Sequence, residues 1–216
     1  VHAFNQWLHD EWGFDHAGRI FTTPVINLAV TEGAVAELEW ALERGAKIDQ
    51  PGSSCHIHSS IWSLDDDRPL CAADDDRSEM SPIFRHWLGG ILAHSRELSL
   101  CFAPFVNSYK RYQPDSWAPT AVVWSPDNRT CGLRLVGQGP AMRVESRIPG
   151  ADCNAYIAFA AIIAAGLDGI DRELDCGDPY MGNGYTATDV ERIPWNIVEA
   201  IDLFDHSLER DYAMVT

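Results

Sequence analysis

The chain is 216 residues long and strongly acidic, with 32 Asp and Glu against 16 Lys and Arg and a formal net charge of −16 at pH 7. This excess of negative charge, with no basic stripe along any predicted helix, argues against a nucleic-acid-binding surface. The hydrophobic content of 46% and the charged content of 22% are typical of a soluble globular protein with one good core or two small ones.

The first part of the chain is predicted to contain a helix, a strand and a second helix. The first helix covers residues 1–13, a bent or edge strand covers residues 19–28, and the second helix begins at residue 31 and ends at Gly45. We predict that residues 1–49 form a short α/β fragment of scaffold character. The predicted apolar faces of its helices are Phe4, Trp7, Leu8 and Trp12 in the first and Val35, Leu38, Trp40, Ala41 and Leu42 in the second.

A second domain is predicted over residues 50–216. It begins with a Gly-Ser turn, after which alternation places His56, His58 and Ser60 on one face of a strand. Two histidines at positions i and i+2 can both reach one ion or one polyanion, although an H-x-H motif often has no function. The preceding turn can expose backbone N–H groups, which favours an anion site.

Helices and one acidic loop account for most of the remaining chain. The two DDDR repeats, at residues 65–68 and 74–77, lack the glycine and the terminal Glu of an EF-hand, so we predict a solvated surface loop. Helices are predicted over residues 81–99, capped by Ser81, and over residues 154–170, which are too short to span a membrane. A last amphipathic helix follows Pro194.

A charged strand near the middle of this domain is the strongest functional signal. Alternation places Arg143, Glu145 and Arg147 on one face, which a solvated edge strand would also explain. However, six basic residues against three acidic ones lie between Lys110 and Arg147, in a chain that is acidic as a whole. Guanidinium groups bind carboxylates and phosphates in a bidentate manner, and a carboxylate among them indicates a metal ion beside those anions. We therefore predict an anion and metal site here.

The cysteines and the N-terminus indicate a cellular context. The six cysteines are spread along the chain without a C-x-x-C pair, which favours a reduced cytoplasmic protein over a disulfide scaffold or a zinc site. No leader precedes the first predicted helix, and residue 1 is Val. We expect a protein without membrane or nucleic-acid partners, whose N-terminus is cut from a longer chain.

Four blocks of sequence carry a resemblance to a known family. They read GSSCHIHSSIW from residue 52, NSYKRYQP from residue 107, APTAVVWSPDNRTCGLR from residue 118 and RVESRIPGADCNAYIAFAAIIAAGLDGI from residue 143. In this order they resemble the catalytic domain of glutamine synthetases, and most closely the related ligases that amidate glutamate with amines larger than ammonia. The resemblance covers residues 52–212, about the whole second domain, and implies an α+β fold with an antiparallel sheet and packed helices.

The resemblance implies a role for each residue that matches a family motif. In the family, ATP phosphorylates the γ-carboxylate of glutamate, and an amine then displaces phosphate, while metal ions and arginines neutralise the crowded oxyanions. Glu145 and His56 would be ligands of Mg²⁺ or Mn²⁺ at the nucleotide phosphates. The nucleotide would contact His58, Ser60, Arg134 and Arg143, and glutamate would contact Arg111, Arg129, Arg147 and the Gly52 backbone, with Arg129 also catalytic.

Trp117 is a candidate catalytic-site residue that determines which amine is used. It occupies the position at which the ammonia-using members of the family have a glutamate that captures and deprotonates ammonium. An indole cannot accept a proton, but its face can hold an alkylamine or an ammonium group. Alternatively, Trp117 only packs the loop after Pro114.

The chain also departs from the family pattern. The family's further metal-binding glutamates and its N-terminal β-rich domain are missing upstream of Gly52, Pro51 replaces a usual asparagine, and residues 1–48 instead resemble a fragment of TIM-barrel amidohydrolases. We therefore weigh a truncated glutamate–amine ligase against a non-catalytic relative that binds nucleotide or an acidic metabolite, and against an amidohydrolase-derived fragment. Members of the family form homo-oligomeric rings, and the same assembly is an expectation for a full-length form of this protein.

Overall fold

The computed structural model describes residues 1–17, 20–22, 24–26, 30–46, 53–113 and 116–215. The chain divides into two compact units, Val1–Gln50 and Pro51–Thr216. None of the helices in these described ranges is long and apolar enough to cross a membrane.

The first unit consists of two helices and a small hairpin. In chain order it contains α1 (His2–Trp12), β1 (Asp15–His16), β2 (Ile20–Phe21) and α2 (Thr31–Glu43). The strands β1 and β2 pair with each other in antiparallel fashion, so the described part of the unit combines two helices with one short hairpin. Of the predicted strand over residues 19–28, only Ile20–Phe21 is a strand in the described part of the chain. The strand is shorter than predicted because only two described positions of β2 pair with β1, and because Pro24 has no backbone N–H to donate to a neighbouring strand.

The interior of the first unit contains polar groups where apolar faces were predicted. Asn5 is completely buried, and its side-chain amide donates to the Val25 carbonyl at 2.7 Å and to Glu37 Oε1 at 2.8 Å. By contrast, Phe4, Trp7 and Trp12 of the predicted face are about half exposed. On α2 the buried positions are Ala34, Glu37 and Ala41, whereas Val35, Leu38 and Leu42 are exposed. The prediction of these two faces was therefore wrong for most of their residues, although Ala41 is buried as predicted and Leu8 and Trp40 are half-buried. On α1 the hydrogen bonds of Asn5 keep a polar residue on the buried side.

The second unit is built around one four-stranded sheet. Its elements are β3 (Ile57–Ser59), α3 (Pro82–His94), α4 (Ser99–Phe102), a 3-10 helix (Val106–Arg111), β4 (Trp124–Pro126), β5 (Leu133–Val136), a 3-10 helix (Gly139–Ala141), β6 (Arg143–Ser146), α5 (Ala155–Asp171) and α6 (Ile197–Val215). The strand order is β3-β6-β5-β4. The β3–β6 and β6–β5 pairs are antiparallel as predicted, whereas β5 and β4 are parallel. The α+β class is thus confirmed, with a mostly antiparallel sheet.

One face of the sheet is apolar and packs on the helices. Ile57, Leu133 and Val144 are buried on that face, and their neighbours along each strand point to the other face. Trp87 of α3 packs in the same core and donates its indole N–H to Ser59 Oγ at 3.1 Å. The helices therefore fix the position of β3, which carries His58 and directly follows His56.

Helix boundaries follow the predicted capping signals. Ser81 caps α3 by accepting a hydrogen bond from the Phe84 backbone N–H, and Asn154 caps α5 by accepting from Tyr156 and Ile157. The helix predicted over residues 81–99 ends earlier, at His94, and its Ile83 is exposed rather than buried. The last helix begins at Ile197, three positions after Pro194, and the Asn196 side chain accepts from Glu199 N.

Helices α3 and α5 approach so closely that glycine is required at the contact. A Cβ atom at Gly90 would lie 2.0 Å from the Ala165 carbonyl oxygen, and one at Gly169 would lie 2.2 Å from the His86 carbonyl oxygen. No side chain fits at either distance. The two helices therefore meet backbone against backbone.

A half-buried histidine bridges the same two helices. His94 of α3 pairs through Nδ1 with Glu97 and through Nε2 with Asp168 of α5 at 2.7 Å, and Arg172 also binds Asp168 at 3.0 Å. Burial opposes the charged imidazolium, but the hydrogen bonds to Glu97 and Asp168 outweigh it and raise the pKa of His94 above its ordinary value. Burial likewise opposes ionisation of Asp168, yet His94 and Arg172 lower the pKa of that carboxyl group.

This cluster predicts a pH-dependent stability. A raised pKa means that His94 stabilises the fold fully below its unfolded value of about 6.5, and that this contribution disappears as the pH rises through the folded value. The lowered pKa of Asp168 means that its contribution is present above about pH 4 and is lost on further acidification. The melting temperature of the wild-type chain should therefore exceed that of His94→Gln most between about pH 4.5 and 6.5. A difference that grows towards pH 9 would contradict this assignment.

Candidate active site

The polar face of the sheet presents one row of side chains across its four strands. His58 of β3 is paired with Glu145 of β6, Glu145 with Arg134 of β5, and Arg134 with Ser125 of β4. Residues that are directly opposite on neighbouring strands have their side chains on the same face. The alternation that we identified in the sequence therefore brings residues from three separate blocks together.

Glu145 lies at the centre of this row and is 4% exposed. Its Oε2 accepts from Arg134 Nη1 at 3.0 Å and from Arg147 Nη1 at 3.1 Å, and its Oε1 lies 3.1 Å from His56 Nδ1. Burial alone would raise the pKa of this carboxyl group, but the hydrogen bonds from Arg134 and Arg147 and the charges of Arg147 and His56 lower it below the ordinary value. Glu145 is thus a buried carboxylate at neutral pH.

His56 has one ring nitrogen engaged and one without a partner. Burial lowers the pKa of His56, as does the charge of Arg147, and both outweigh the opposing charge of Glu145, so the ring is neutral at pH 7. The Nδ1 of this neutral ring faces Oε1 of Glu145 at 3.1 Å. Its Nε2 is buried and has no hydrogen-bond partner among the described residues. In metal-binding histidines one ring nitrogen usually carries a free lone pair while the other ring nitrogen faces a carboxylate.

The donor set is that of a partial metal site. Nε2 of His56 and the carboxylate of Glu145 are suitable ligands, and they are the two residues that the family resemblance implied. Within the described ranges, however, no group of three or more His, Cys, Asp or Glu side chains could hold a metal ion. Two protein ligands suit an ion that also binds phosphate oxygens and water, as Mg²⁺ does at nucleotides.

Three arginines of the predicted anion site converge on this face. Arg134 bridges Glu145 and Asp127, donating to Asp127 through Nε at 3.0 Å and also through Nη2. Arg143 donates to His58 Nδ1 at 3.2 Å, and the buried Arg147 donates to Glu145 and to the Trp117 carbonyl oxygen. The Arg147 Nε is buried and has no partner in the described part of the chain.

Of the other predicted site residues, those in the described ranges form no hydrogen bond or ion pair with Glu145, although the charge of Arg111 is one of those that lower the pKa of His56. Arg111 is buried and donates to Ser54 Oγ at 3.0 Å and to the Ile148 carbonyl oxygen, while its guanidinium stacks on Tyr112. Arg129 is exposed and forms no hydrogen bond or ion pair with the described residues. Ser60 is exposed and accepts a hydrogen bond from Trp62. Gly52 falls outside the described residues.

Trp117 combines exposure with an uncommon backbone conformation. Its side chain is 61% exposed, and its φ of 61° lies in the left-handed region that bulky residues rarely adopt. Its carbonyl oxygen accepts from Arg147 Nη2 at 3.3 Å. The loop that carries Trp117 is thereby tied to the Glu145 cluster, and strained conformations of this kind concentrate at functional sites. The alternative prediction, that Trp117 only packs the loop after Pro114, stays a prediction, because residues 114 and 115 lie outside the described residues.

The sequence analysis did not identify Asp127 as part of the site. It was counted only as one of three acidic residues in a basic segment, but the structure places its carboxylate against Arg134. The sequence carries no signal for this contact, because the contact depends on the parallel pairing of β4 with β5. The short connection between these two strands does not indicate that they are parallel.

Comparison with known proteins shows the family of this chain. The family profile described as "Glutamine synthetase, catalytic domain" matches residues 46–213. The chain belongs to the glutamine synthetase family. It is 47% identical over 156 residues to the gamma-glutamylethanolamide synthetase GlnA4 of Streptomyces coelicolor, covering 72% of this chain and 33% of that protein. It is 39% identical over 161 residues to a glutamine synthetase of Sulfolobus acidocaldarius, covering 73% of this chain and 34% of the relative.

A solved structure gives the same relationship. The chain resembles GmaS in a complex with ADP, with a TM-score of 0.64 and 31% identity over 72% of this chain and 37% of that one. The chain therefore spans about one third of the length of these glutamine synthetase relatives.

The buried carboxylate generates a stability prediction. Replacing Glu145 by Gln removes the negative charge that compensates Arg134 and Arg147, so we expect the free energy of unfolding to fall by about 3 kcal/mol. Because the pKa of Glu145 is lowered, the loss should be present above about pH 4.3 and should shrink as the pH falls. Urea unfolding at pH 7 and pH 3.5 measures it, with the exposed Glu173→Gln as the control. Equal effects of the two variants at pH 7 would contradict this description of Glu145.

Proposed function

We propose that this chain provides the nucleotide- and glutamate-binding part of an ATP-dependent ligase that joins the γ-carboxylate of glutamate to an amine through γ-glutamyl phosphate. The observation that carries the proposal is the buried Glu145 carboxylate, bound by Arg134 and Arg147 beside the unpaired Nε2 of His56. Two kinds of relative support the proposal. Some are named glutamine synthetase or gamma-glutamylethanolamide synthetase, and one solved relative, GmaS, is in complex with ADP.

The metal would be Mg²⁺ or Mn²⁺, held by His56 and Glu145. When bound, it would neutralise charge on the phosphate oxygens during transfer to glutamate. The family uses ATP and a divalent metal in general. An oxygen-rich nucleotide site with one histidine suits both of these ions better than it suits zinc.

The arginines would supply the remaining neutralisation. Arg134 lies opposite Glu145 on β5, and Arg143 lies two residues before Glu145 on β6, where their remaining N–H groups can bind phosphate oxygens. Arg147 lies between Glu145 and the Trp117 loop, a position from which it can hold the γ-carboxylate of glutamate as that group accepts phosphate. Arg129 is exposed and can bind the same substrate, whereas Arg111 would act by fixing Ser54 and the backbone near residue 148.

The cellular setting and the domain organisation belong to the same proposal. All six cysteines are free, which supports a reducing cytoplasmic compartment, and the acidic net charge supports small-molecule rather than nucleic-acid partners. Residues 1–49 would be a separate, amidohydrolase-like piece ahead of the catalytic segment over residues 50–216. A full-length ligase of this family would be a homo-oligomer.

Nucleotide binding tests this function directly. We expect ADP with Mg²⁺ to bind the chain, and Arg134→Ala or Arg143→Ala to weaken binding by about tenfold, because each removes charge-assisted hydrogen bonds to phosphate. Calorimetry measures the affinity, with Arg172→Ala at the end of α5 as the control. Turnover, measured as ADP release with ATP, glutamate and an amine, should be small for this chain, since two metal ligands leave the ions under-coordinated. Failure of ADP to bind would contradict the proposal.

The choice of amine depends on Trp117. An exposed indole can hold the alkyl part of an organic amine or its ammonium group, an attraction of about 0.5 to 2 kcal/mol, but it cannot take a proton from ammonium. In a version of the protein extended to the length of its relatives, kcat/KM for ethanolamine or putrescine should exceed that for ammonia. Trp117→Glu should shift the preference towards ammonia, and Trp117→Phe should retain the original order. A parent protein that already prefers ammonia would refute this assignment.

A further inference from the structure

Asp127 forms an ion pair with a site arginine from an unusual backbone position. It follows β4 directly, and its φ of 48° is in the left-handed region, which Asp tolerates better than most residues. Its backbone N–H donates to the Leu135 carbonyl oxygen at 3.0 Å, which anchors this turn on β5. The backbone thus holds the Asp127 carboxylate beside Arg134, which is one residue from Leu135.

The contact between Asp127 and Arg134 fixes the rotation of the guanidinium group. Nε and Nη2 of Arg134 both donate to Asp127 Oδ1, while Nη1 donates to Glu145 Oε2 at 3.0 Å. The two carboxylates hold opposite edges of one planar group, so it cannot turn without breaking a charge-assisted hydrogen bond. The hydrogen bonds from Arg134 also lower the pKa of the Asp127 carboxyl group, so this partner is ionised at neutral pH.

The exposure of the two partners differs. The Arg134 side chain is 12% exposed and that of Asp127 is 78% exposed. An ion pair with such an exposed carboxylate contributes little to stability. The geometry of Asp127 therefore affects the orientation of Arg134 more than it affects the fold.

We propose that Asp127 is a positioning residue that orients the Arg134 guanidinium on the sheet face for contact with the phosphate groups of a nucleotide. The inference rests on the proposed function where it concerns the nucleotide, but the orientation of Arg134 is a property of the chain alone. Asp127 itself does not touch substrate in this account. It acts through Arg134.

The first measurement needs no ligand. The Nε–H signal of Arg134, assigned by its loss in Arg134→Lys, should exchange slowly with water in ¹⁵N NMR spectra. Asp127→Ala should accelerate that exchange at least several-fold, and Asp127→Asn, whose amide oxygen still accepts a hydrogen bond, should largely restore it. The control is Asp175→Ala, which removes an exposed Asp that pairs with Arg85 at 2.6 Å away from the sheet face. Unchanged exchange in Asp127→Ala would overturn the proposal.

The second measurement uses ADP with Mg²⁺ as the probe. Asp127→Ala should weaken ADP binding by about threefold to fivefold, Asp127→Asn should bind ADP nearly as well as the parent, and Asp175→Ala should have no effect. Tighter ADP binding in both Asp127 variants would show that the Asp127 carboxylate competes with phosphate for Arg134, and it would overturn the proposal. Unchanged ADP affinity in Asp127→Ala, when Arg134→Ala weakens binding, would overturn it as well. If the parent chain binds no ADP, the proposed function fails; the nucleotide part of this inference is then overturned, and the exchange measurement alone decides whether Asp127 orients Arg134.

Discussion

The second unit depends on one buried carboxylate. Glu145 is nearly inaccessible to water, and a charge in that position requires compensation, which Arg134 and Arg147 supply as cations while the ring of His56 lies 3.1 Å away. This requirement explains why β6 lies between β3 and β5, because only an interior strand has neighbours on both sides that can pair with its side chain. Among the described residues the same cluster leaves Nε2 of His56 without a partner, so the arrangement that neutralises Glu145 also creates an incomplete ligand set there.

The sequence predicts those parts of the fold that depend on local chemistry. The alternation around His56 and Glu145 predicted correctly which side chains share a face, because a strand has a period of two in every context. Ser81 predicted the start of α3 because capping needs only a side-chain oxygen and the next turn of backbone. The family motifs added roles for these residues that alternation alone does not give.

The missed features depend on contacts between distant residues. The parallel pairing of β4 and β5 that brings Asp127 to Arg134 has no local signal, and the inward turn of Arg111 depends on the Ile148 carbonyl oxygen and on Ser54. In the first unit, the large apolar residues of α1 predicted the wrong buried face, since the buried side is set by the hydrogen bonds of Asn5 to Val25 and Glu37. Hydrophobic periodicity gives no information on a polar side chain that is buried with its hydrogen bonds satisfied.

The central claim is that the face around Glu145 and His56 binds a divalent metal together with nucleotide phosphates. Paramagnetic broadening of histidine ring signals by Mn²⁺ with ADP tests it most directly, because broadening falls steeply with distance from the ion. The account predicts that substoichiometric Mn²⁺ with ADP broadens the signals of His56 first and His58 next. The signal of His94, which is bound between Glu97 and Asp168, should stay sharp. Broadening of His94 to the same degree, or a His56 signal that is unaffected when ADP is bound, would contradict the account.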